Sequence, residues 1–148
     1  MTLREASRTA VRRPLELAIQ AAGLGEFEWD LGRDVFTVSP RMAAITGMAG
    51  GDMPAKRGEA LDAYIHPDDR EAVIAQRKAD LAKGDAFSSE FRQIRPDDGR
   101  IIWVRTAGVI MRDDDGRATG VTGIVQDITE RRLDDDQRQQ LMTELDHR

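Results

Sequence analysis

The sequence contains no cysteine among its 148 residues. Disulfide bonds, zinc sites built from thiolates and a flavin photoadduct on a cysteine are therefore excluded. A chain without cysteine also suits the reducing cytoplasm, which is where we expect the protein to act.

Long apolar runs and an excess of positive charge are missing as well. The longest unbroken apolar stretches, such as IIWV at 101–104, are far too short to span a bilayer, and residues 1–20 lack the apolar core of a secretory signal. The formal net charge of −5 argues against nucleic acid as a main partner, because phosphate binding needs a basic face. We therefore expect a soluble protein, or the soluble part of one, with no membrane segment and no nucleic-acid partner.

The first third of the chain has the pattern of an amphipathic helix followed by two strands. Residues 10–22 carry apolar side chains at helical spacing, and Gly23 ends the pattern. In EFEWDL at 26–31, apolar and acidic residues alternate, which predicts a strand with one solvent-facing side. A turn at 32–34 leads to a second strand, VFTVS at 35–39, so that the two strands form a hairpin. The apolar stripe of the helix consists of Val11, Leu15, Ala18, Ile19 and Ala22.

The middle of the chain is predicted to be mainly helical. Ser39 is placed to cap a short helix that opens at the following proline. The Gly-rich stretch at 47–60 predicts a loop or a broken helix, and LDAYI at 61–65 a short helical piece. A longer helix begins in HPDDR at 66–70 and ends at Gly84. Its expected buried stripe is Val73, Ile74, Arg77 and Leu81.

The last third predicts three strands and a polar helix. Two turns of the same type, PDDG at 96–99 and DDDG at 113–116, separate three strands and indicate an antiparallel meander. The helix that follows has too narrow an apolar stripe for a core and suits a two-helix coiled coil. The runs of aspartate at 113–115 and 134–136 are interpreted as a solvated turn and linker, because a cation loop needs spaced oxygens. The apolar positions of the helix are Leu133, Leu141 and Leu145.

These elements together predict an α+β fold. A five-stranded antiparallel sheet would carry a helical cluster inserted after the second strand, with a helix flanking the domain at each end.

Three local stretches, in order and at suitable spacing, resemble those of sensory PAS domains. HPDDR at 66–70 is similar to the segment that opens the long helix in many members. EFR at 90–92, followed by DGRIIWV at 98–104, resembles the hairpin between the third and fourth strands. GIVQDITER at 123–131 resembles the end of the fifth strand and the exit signature of the family. The resemblance covers about residues 22–131 and implies a regulatory sensor domain with the PAS fold.

A second resemblance is carried by the tail, LMTELDHR at 141–148. It is similar to the start of the dimerisation and phosphotransfer domain of HWE-type histidine kinases. The likeness implies that His147 accepts phosphate from ATP in a longer bacterial parent, a two-component sensor kinase that serves a response regulator. We expect this chain by itself to phosphorylate nothing, because it contains no glycine-rich ATP-binding region. The simpler interpretation of His147 is a surface histidine near a helix end. The expected division of the chain is an N-terminal helix at 1–22, the PAS domain at 23–130, and a helical linker with the first turn of the phosphotransfer domain at 131–148.

A capping box is predicted where the last strand passes into the final helix. Asp127 lies three residues before Glu130, so its carboxylate is expected to accept a hydrogen bond from the amide of Glu130, with Thr129 between them. Within a PAS domain this cap would fix the angle of the exit helix and relay the signal. The simpler alternative is a helix start with no signalling role.

The PAS resemblance also implies a cavity between the sheet and the helices. Most of its candidate lining residues are needed for the core of a sheet of this size, so the sequence leaves open whether a small molecule binds there. Gln93, Thr106 and Gln126 are polar candidates for the inner face, although alternation does not fix which face they occupy. His66 precedes a proline at a helix start, without other metal-binding side chains at ligand spacing, so we predict a turn role for it and no metal site. The predicted lining is Trp29, Met42, Ile45, Tyr64, Phe91, Gln93 and Trp103.

The leading hypothesis is a cytoplasmic sensor domain of a bacterial histidine kinase, forming a homodimer through its flanking helices. The alternative is a PAS ligand-binding or protein-interaction module that controls a different output, such as a nucleotide cyclase. No cofactor is evident from the sequence, and ATP is expected only in the full-length parent. An autonomous enzyme is disfavoured, because the sequence offers no nucleophile with a neighbouring base, no metal cluster and no phosphate loop.

Overall fold

The computed structural model describes residues 14–15 and 17–146. The predicted phosphoacceptor, His147, and Val11 of the predicted N-terminal stripe lie outside these residues. Residues 17–21 form the helical stretch α1. The strands are β1 (Leu24–Asp30), β2 (Val35–Val38), β3 (Gly51–Pro54), β4 (Ala86–Ile94), β5 (Ile101–Arg112) and β6 (Ala118–Asp127). The helices after α1 are α2 (Pro40–Thr46), α3 (Glu59–Asp62), α4 (Pro67–Lys83) and α5 (Thr129–Asp146), with a 3-10 turn at Lys56–Gly58.

The strands of the described residues form one antiparallel sheet in the order β3-β2-β1-β6-β5-β4. The predicted hairpin pairs Trp29 with Phe36, and the predicted meander pairs β4 with β5 and β5 with β6. Strand β1 lies against β6, which places the two ends of the domain side by side. Gly99 and Gly116 close the two meander turns at φ 73° and 82°, a backbone region open mainly to glycine.

The prediction of five strands is wrong, because the sheet has six. The additional strand, β3, lies inside the stretch predicted to be a loop, and it pairs with β2 at the edge of the sheet. Thr37 donates a hydrogen bond to Asp52 at 2.7 Å across this pair. Strand β3 is four residues long, is half-buried only at Met53, and ends in Pro54, a residue that edge strands tolerate. It therefore carries no apolar alternation that the sequence could reveal.

The core fills the space between the inner face of the sheet and the helices. Residues of the four central strands alternate into it, and Val104 is fully buried. The ring of Phe27 crosses the sheet over Gly123, where a Cβ would come within 2.6 Å of the ring. A larger side chain at this position would push Phe27 away from the sheet. The buried apolar side chains of the strands include Phe27, Trp29, Phe36, Val38, Ile102, Val104, Ile110, Val121 and Val125.

Two of the helix starts follow the sequence prediction. The hydroxyl of Ser39 accepts a hydrogen bond from the amide of Met42 at 3.1 Å, and Pro40 opens α2. His66 caps α4 through its Nδ1, which accepts from the amide of Asp68 at 3.1 Å. The predicted turn role of His66 is therefore confirmed. No helix among the described residues combines the length and the apolar character needed to cross a membrane.

Candidate functional site

A cavity of about 150 Å³ lies between the inner face of the sheet and helices α2, α3 and α4. It opens towards solvent beside α4, where the exposed side chain of Gln76 forms part of its wall. Most of its surface is apolar and aromatic, with contributions from Phe27, Phe36 and Phe87. Of the predicted lining residues, the structure places Trp29, Met42, Tyr64, Phe91 and Gln93 in the cavity wall.

The polar groups of the sheet that reach the cavity are few and uncharged. They belong to Ser89, Gln93 and Thr106, which alternate with outward-facing residues on β4 and β5. Gln93 is only 6% exposed, and its Nε2 contacts the sulfur of Met48 at 3.7 Å. The indole N–H of Trp29 is already bound, because it donates to Asp34 at 3.1 Å. The carboxamide of Gln93 is therefore the buried polar group of this wall that has the weakest partner.

The charged groups at the rim of the cavity each have a hydrogen-bond partner. Arg77 of α4 donates to Asp62 of α3 at 2.7 Å, and both side chains are largely buried. Gln76 donates to Asp80 at 3.0 Å. Of the predicted buried stripe of α4, Val73, Arg77 and Leu81 line the cavity and Ile74 does not. No residue of α4 is fully buried. Helix α4 therefore covers the cavity without filling it.

Two of the predicted lining residues, Ile45 and Trp103, lie elsewhere. Ile45 is half-buried near the β4–β5 turn, where its carbonyl accepts from Arg95 at 3.0 Å. Trp103 is on the outer face of the sheet, because its neighbours Ile102 and Val104 point inward. The run IIWV is apolar on both faces, so alternation could not assign its sides.

The outer face around Trp103 carries a network of charged side chains. The guanidinium of Arg132 lies 4.1 Å from the ring centroid of Trp103, and that of Arg92 lies 5.5 Å from it. Arg92 also donates to Asp69, at the start of α4, through its Nε at 3.0 Å and its Nη2 at 2.7 Å. Glu90 forms ion pairs with Arg132, at 3.6 Å, and with its neighbour Arg131. The network therefore joins the start of α4 to the first turn of α5.

The pair of Asp69 and Arg92 shifts the pKa of both side chains. The guanidinium of Arg92 holds the pKa of the Asp69 carboxyl below its ordinary value, chiefly through their side-chain hydrogen bond. The same bond raises the pKa of Arg92. The carboxylate also accepts from the backbone amide of Arg92 at 2.8 Å, so it holds β4 as well as the side chain.

The junction between β6 and α5 is fixed by hydrogen bonds among four residues. The Oδ1 of Asp127 accepts from the amide of Thr129 at 2.9 Å and from its hydroxyl. The hydroxyl oxygen of Thr129 in turn accepts from the amide of Trp103 at 2.9 Å, and the carbonyl of Trp103 accepts from Ile128 at 2.9 Å. The start of α5 is therefore bound to β5 through both the amide and the carbonyl of Trp103.

The predicted donor to Asp127 was the amide of Glu130, and the structure corrects this detail. Helix α5 begins at Thr129, one residue later than a capping box from Asp127 requires. The carboxylate of Asp127 instead closes a local turn onto the amide two residues ahead, as aspartate commonly does.

A family model described as a PAS fold matches residues 35–125. This chain belongs to the PAS-fold family. The matched segment contains α4, β4 and β5, while β1, which adds Phe27 and Trp29 to the cavity wall, precedes it and the exit helix follows it.

Known relatives of this PAS domain include signalling proteins. The non-motile and phage-resistance protein of Caulobacter vibrioides is 34% identical over 124 residues, which are 82% of this chain and 14% of that protein. A solved structure of a sensory box histidine kinase/response regulator from Burkholderia thailandensis has a TM-score of 0.78 at 25% identity, covering 90% of this chain and 98% of that one. The N-terminal domain of a diguanylate cyclase with a PAS/PAC sensor from Marinobacter aquaeolei has a TM-score of 0.64 at 20% identity, covering 74% and 98%. At that identity the last likeness concerns the fold alone.

The network on the outer face of the PAS domain was not predicted from the sequence. The motifs that contain Asp69, Arg92 and Trp103 were recognised, but as marks of the fold rather than as partners. The sequence offers no signal that joins them. Alternation shows only that Arg92 faces away from Gln93, and Trp103 away from Val104, without saying which face is the outer one. Within the described part of the PAS domain, no three His, Asp or Glu side chains are grouped closely enough to hold a metal ion.

The exit helix of the PAS domain is exposed beyond its first turn. Its four large apolar side chains are each more than half exposed, and no described residue of α5 is fully buried. The coiled-coil seam predicted from the sequence therefore faces solvent in the single chain. The exposed apolar residues are Leu133, Leu141, Met142 and Leu145.

Proposed function

We propose that this PAS domain is the sensory domain of a bacterial two-component histidine kinase, in which a signal at the cavity reaches a phosphoacceptor through α5. The observation that carries the proposal is the attachment of α5. Its first turn is bound to the outer face of β4 and β5, whose inner face lines the cavity. The likeness to a sensory box histidine kinase/response regulator supports this choice of output.

The relay follows from the geometry of a strand. Gln93 faces the cavity and Arg92 faces outward, so a ligand that displaces one displaces the other. Arg92 and Arg132 both lie against the ring of Trp103. A shift of β4 therefore changes the contacts that hold the first turn of α5 on the sheet. Asp69 carries the same displacement to α4. The cavity, its cover and the exit helix are thus connected through one strand.

The proposed recipient of the signal is His147, which follows Leu145 by two positions in the sequence. A neutral ring nitrogen of His147 attacks the γ-phosphorus of ATP, the bond to the bridging oxygen breaks, and ADP leaves with its electron pair. The nucleotide is held by a part of the parent protein outside this chain. The resulting phosphohistidine passes its phosphoryl group to a response regulator.

We also propose a homodimer formed through the flanking helices. Leu141 and Leu145 are one turn apart on α5 and are 59% and 61% exposed. A second copy of the same helix would cover this stripe and bring two phosphotransfer segments together. The location that fits this function is the cytoplasm, where ATP and the response regulator are available.

The test uses the parent protein extended through its nucleotide-binding region. We expect ATP to label it in an acid-labile, alkali-stable form, and His147→Ala to abolish that label. The control is His66→Ala, which changes the other histidine of this chain. Labelling that persists without His147 contradicts the proposal. Production of a cyclic nucleotide by the parent, without phosphohistidine, would instead favour the cyclase alternative.

A further inference from the structure

The chemistry of the cavity wall restricts what can bind there. Gln93 is 6% exposed, and its carboxamide faces the cavity from β4. Within the part of the chain that the structure describes, this side chain has one hydrogen-bond partner, the sulfur of Met48 at 3.7 Å. A thioether sulfur is a weak acceptor, and the amide oxygen can accept two hydrogen bonds of its own. The group is therefore placed to bind a ligand that both donates and accepts.

The charge of the ligand is limited by the pairing at the rim. The guanidinium of Arg77 is held by Asp62 at 2.7 Å, and Asp80 accepts from Gln76 at 3.0 Å. A ligand carboxylate or ammonium group would lose its hydration on entry and would meet only neutral polar groups on the sheet, such as Ser89. Gln76 is neutral, so Asp80 keeps its negative charge at the rim and repels an anion. Burying an unpaired charge beside Gln93 is unfavourable, so the sheet end of the cavity selects against ions.

The size of the ligand is limited by the volume of about 150 Å³. An apolar cavity of roughly that volume accepts a molecule as small as benzene. The rings of Phe27, Phe87 and Phe91 provide flat apolar contacts on the inner wall. Such contacts favour a compact, ring-like or branched molecule over a long chain.

We infer that the cavity binds a compact, uncharged, mostly apolar molecule with one amide-like or alcohol-like group that pairs with the carboxamide of Gln93. This inference rests on the proposed function, in which the cavity is the sensing site, and it names the class of signal. The carboxamide of Gln93 determines which polar group of a ligand the site can bind. The opening beside α4, where Gln76 forms part of the wall, gives the ligand a path into the cavity.

The test compares three probes of similar shape on the complete 148-residue chain. Benzamide carries a neutral donor and acceptor, benzoate is its charged counterpart, and toluene has neither group. Binding is measured at pH 7 by protein-detected NMR titration, which follows the indole of Trp29 and the side-chain amide of Gln93. We expect benzamide to bind most tightly and benzoate at least tenfold more weakly.

Two matched substitutions then test the role of Gln93. In Gln93→Leu we expect benzamide to bind about two- to tenfold more weakly, the range that one neutral hydrogen bond supports, while toluene binds equally or more tightly. Gln126→Leu makes the same change on the outer face and should alter the binding of neither benzamide nor toluene. If Gln93→Leu does not fold, the comparison of benzamide with benzoate on the unaltered chain still decides the question.

Three results would overturn the inference. They are equal binding of benzamide and benzoate, unchanged benzamide binding in a folded Gln93→Leu chain, and no shift of any cavity resonance with any probe. These measurements read binding and not output. If they contradict this inference, the proposed relay is still tested independently, by phosphohistidine formation in the parent protein.

Discussion

At the scale of single residues, Asp69 joins two elements through one carboxylate. It accepts from the Nη2 of Arg92 at 2.7 Å and from the amide of the same residue at 2.8 Å. Its pKa is lowered chiefly by the side-chain bond, so the folded state binds a proton less readily than the unfolded chain. The stability contributed by Asp69 is therefore present above the ordinary aspartate pKa and is lost as the pH falls through the lowered value.

Asp69→Asn should weaken the dependence of the unfolding free energy on pH in the acidic range. We expect the original chain to lose unfolding free energy below roughly pH 4, and the variant, already less stable at pH 7, to lose less over the same range. Urea unfolding at a series of pH values measures both. Asp68→Asn, a like change on an exposed neighbouring side chain, is the control. Parallel curves for Asp69→Asn and the original chain would show that this carboxylate does not couple folding to pH.

Substitutions of Asp127 and Glu130 distinguish the junction seen in the structure from the capping box expected from the sequence. Asp127→Ala removes the acceptor of the Thr129 amide, and losing such a cap costs about 0.5–2 kcal/mol. A domain with a typical stability of roughly 5–15 kcal/mol survives that loss. We expect a modest fall in melting temperature and a clear change in autophosphorylation of the parent.

The matched control for the junction is Glu130→Ala. It should leave both the melting temperature and autophosphorylation close to those of the original protein, because the Asp127 carboxylate binds Thr129. Equal changes in melting temperature and autophosphorylation for the two substitutions would support the capping box instead. An unchanged kinase activity in Asp127→Ala would leave Asp127 as a plain turn residue.

The residues of the cavity were predicted better than those of the outer face. Alternation in EFEWDL assigned Trp29 to the inside, because the acidic neighbours can only face solvent. No such marker exists in IIWV, so Trp103 was assigned to the cavity although it lies outside. The partners of Trp103 come from β4 and α5, and a single sequence gives no sign that residues 92, 103 and 132 meet.

At the scale of elements, the strands that carry strong turn signals were predicted and the one without them was not. Glycines at positive φ mark both turns of the meander, at 99 and 116. Strand β3 has Gly51 and Pro54 at its ends and belongs to the sheet only through its pairing with β2. Tertiary contact, rather than local propensity, makes it a strand.

Helix α5 has two parts that should behave differently. Its first turn is held on the sheet by Arg131 and Arg132, whereas Leu141 and Leu145 are exposed. Leu141→Glu should therefore abolish dimerisation without unfolding the domain. Arg138→Glu changes an exposed position on the same helix and is the control. Sedimentation equilibrium should show a monomer for the first variant and a dimer for the second.

Truncation supplies a second measurement of the same interface. A chain ending at Asp136 keeps the contacts of Arg131 and Arg132 but removes the exposed seam. We expect it to be monomeric and folded. If it dimerises as strongly as the complete chain, the interface lies on the sheet or on another surface.

At the scale of the whole molecule, the two faces of β4 offer a matched pair of positions. Ser89 faces the cavity and Ser88 faces solvent. Ser89→Val adds volume inside the cavity and should press on the strand, whereas Ser88→Val adds the same atoms on the opposite face. The pair therefore probes communication from the cavity to α5 without requiring a known ligand.

We expect Ser89→Val to change amide hydrogen exchange in the first turn of α5, where the amide of Arg132 is bonded to the carbonyl of Ile128 at 2.9 Å. Ser88→Val should leave that exchange unchanged. In a Trp103→Leu background the effect of Ser89→Val on α5 should disappear, because neither Arg92 nor Arg132 then has a ring to contact. Exchange measured by mass spectrometry resolves these segments. A response of α5 that survives the loss of Trp103 would route the coupling through the backbone junction at Thr129 instead, and no response in any variant would refute a relay through β4.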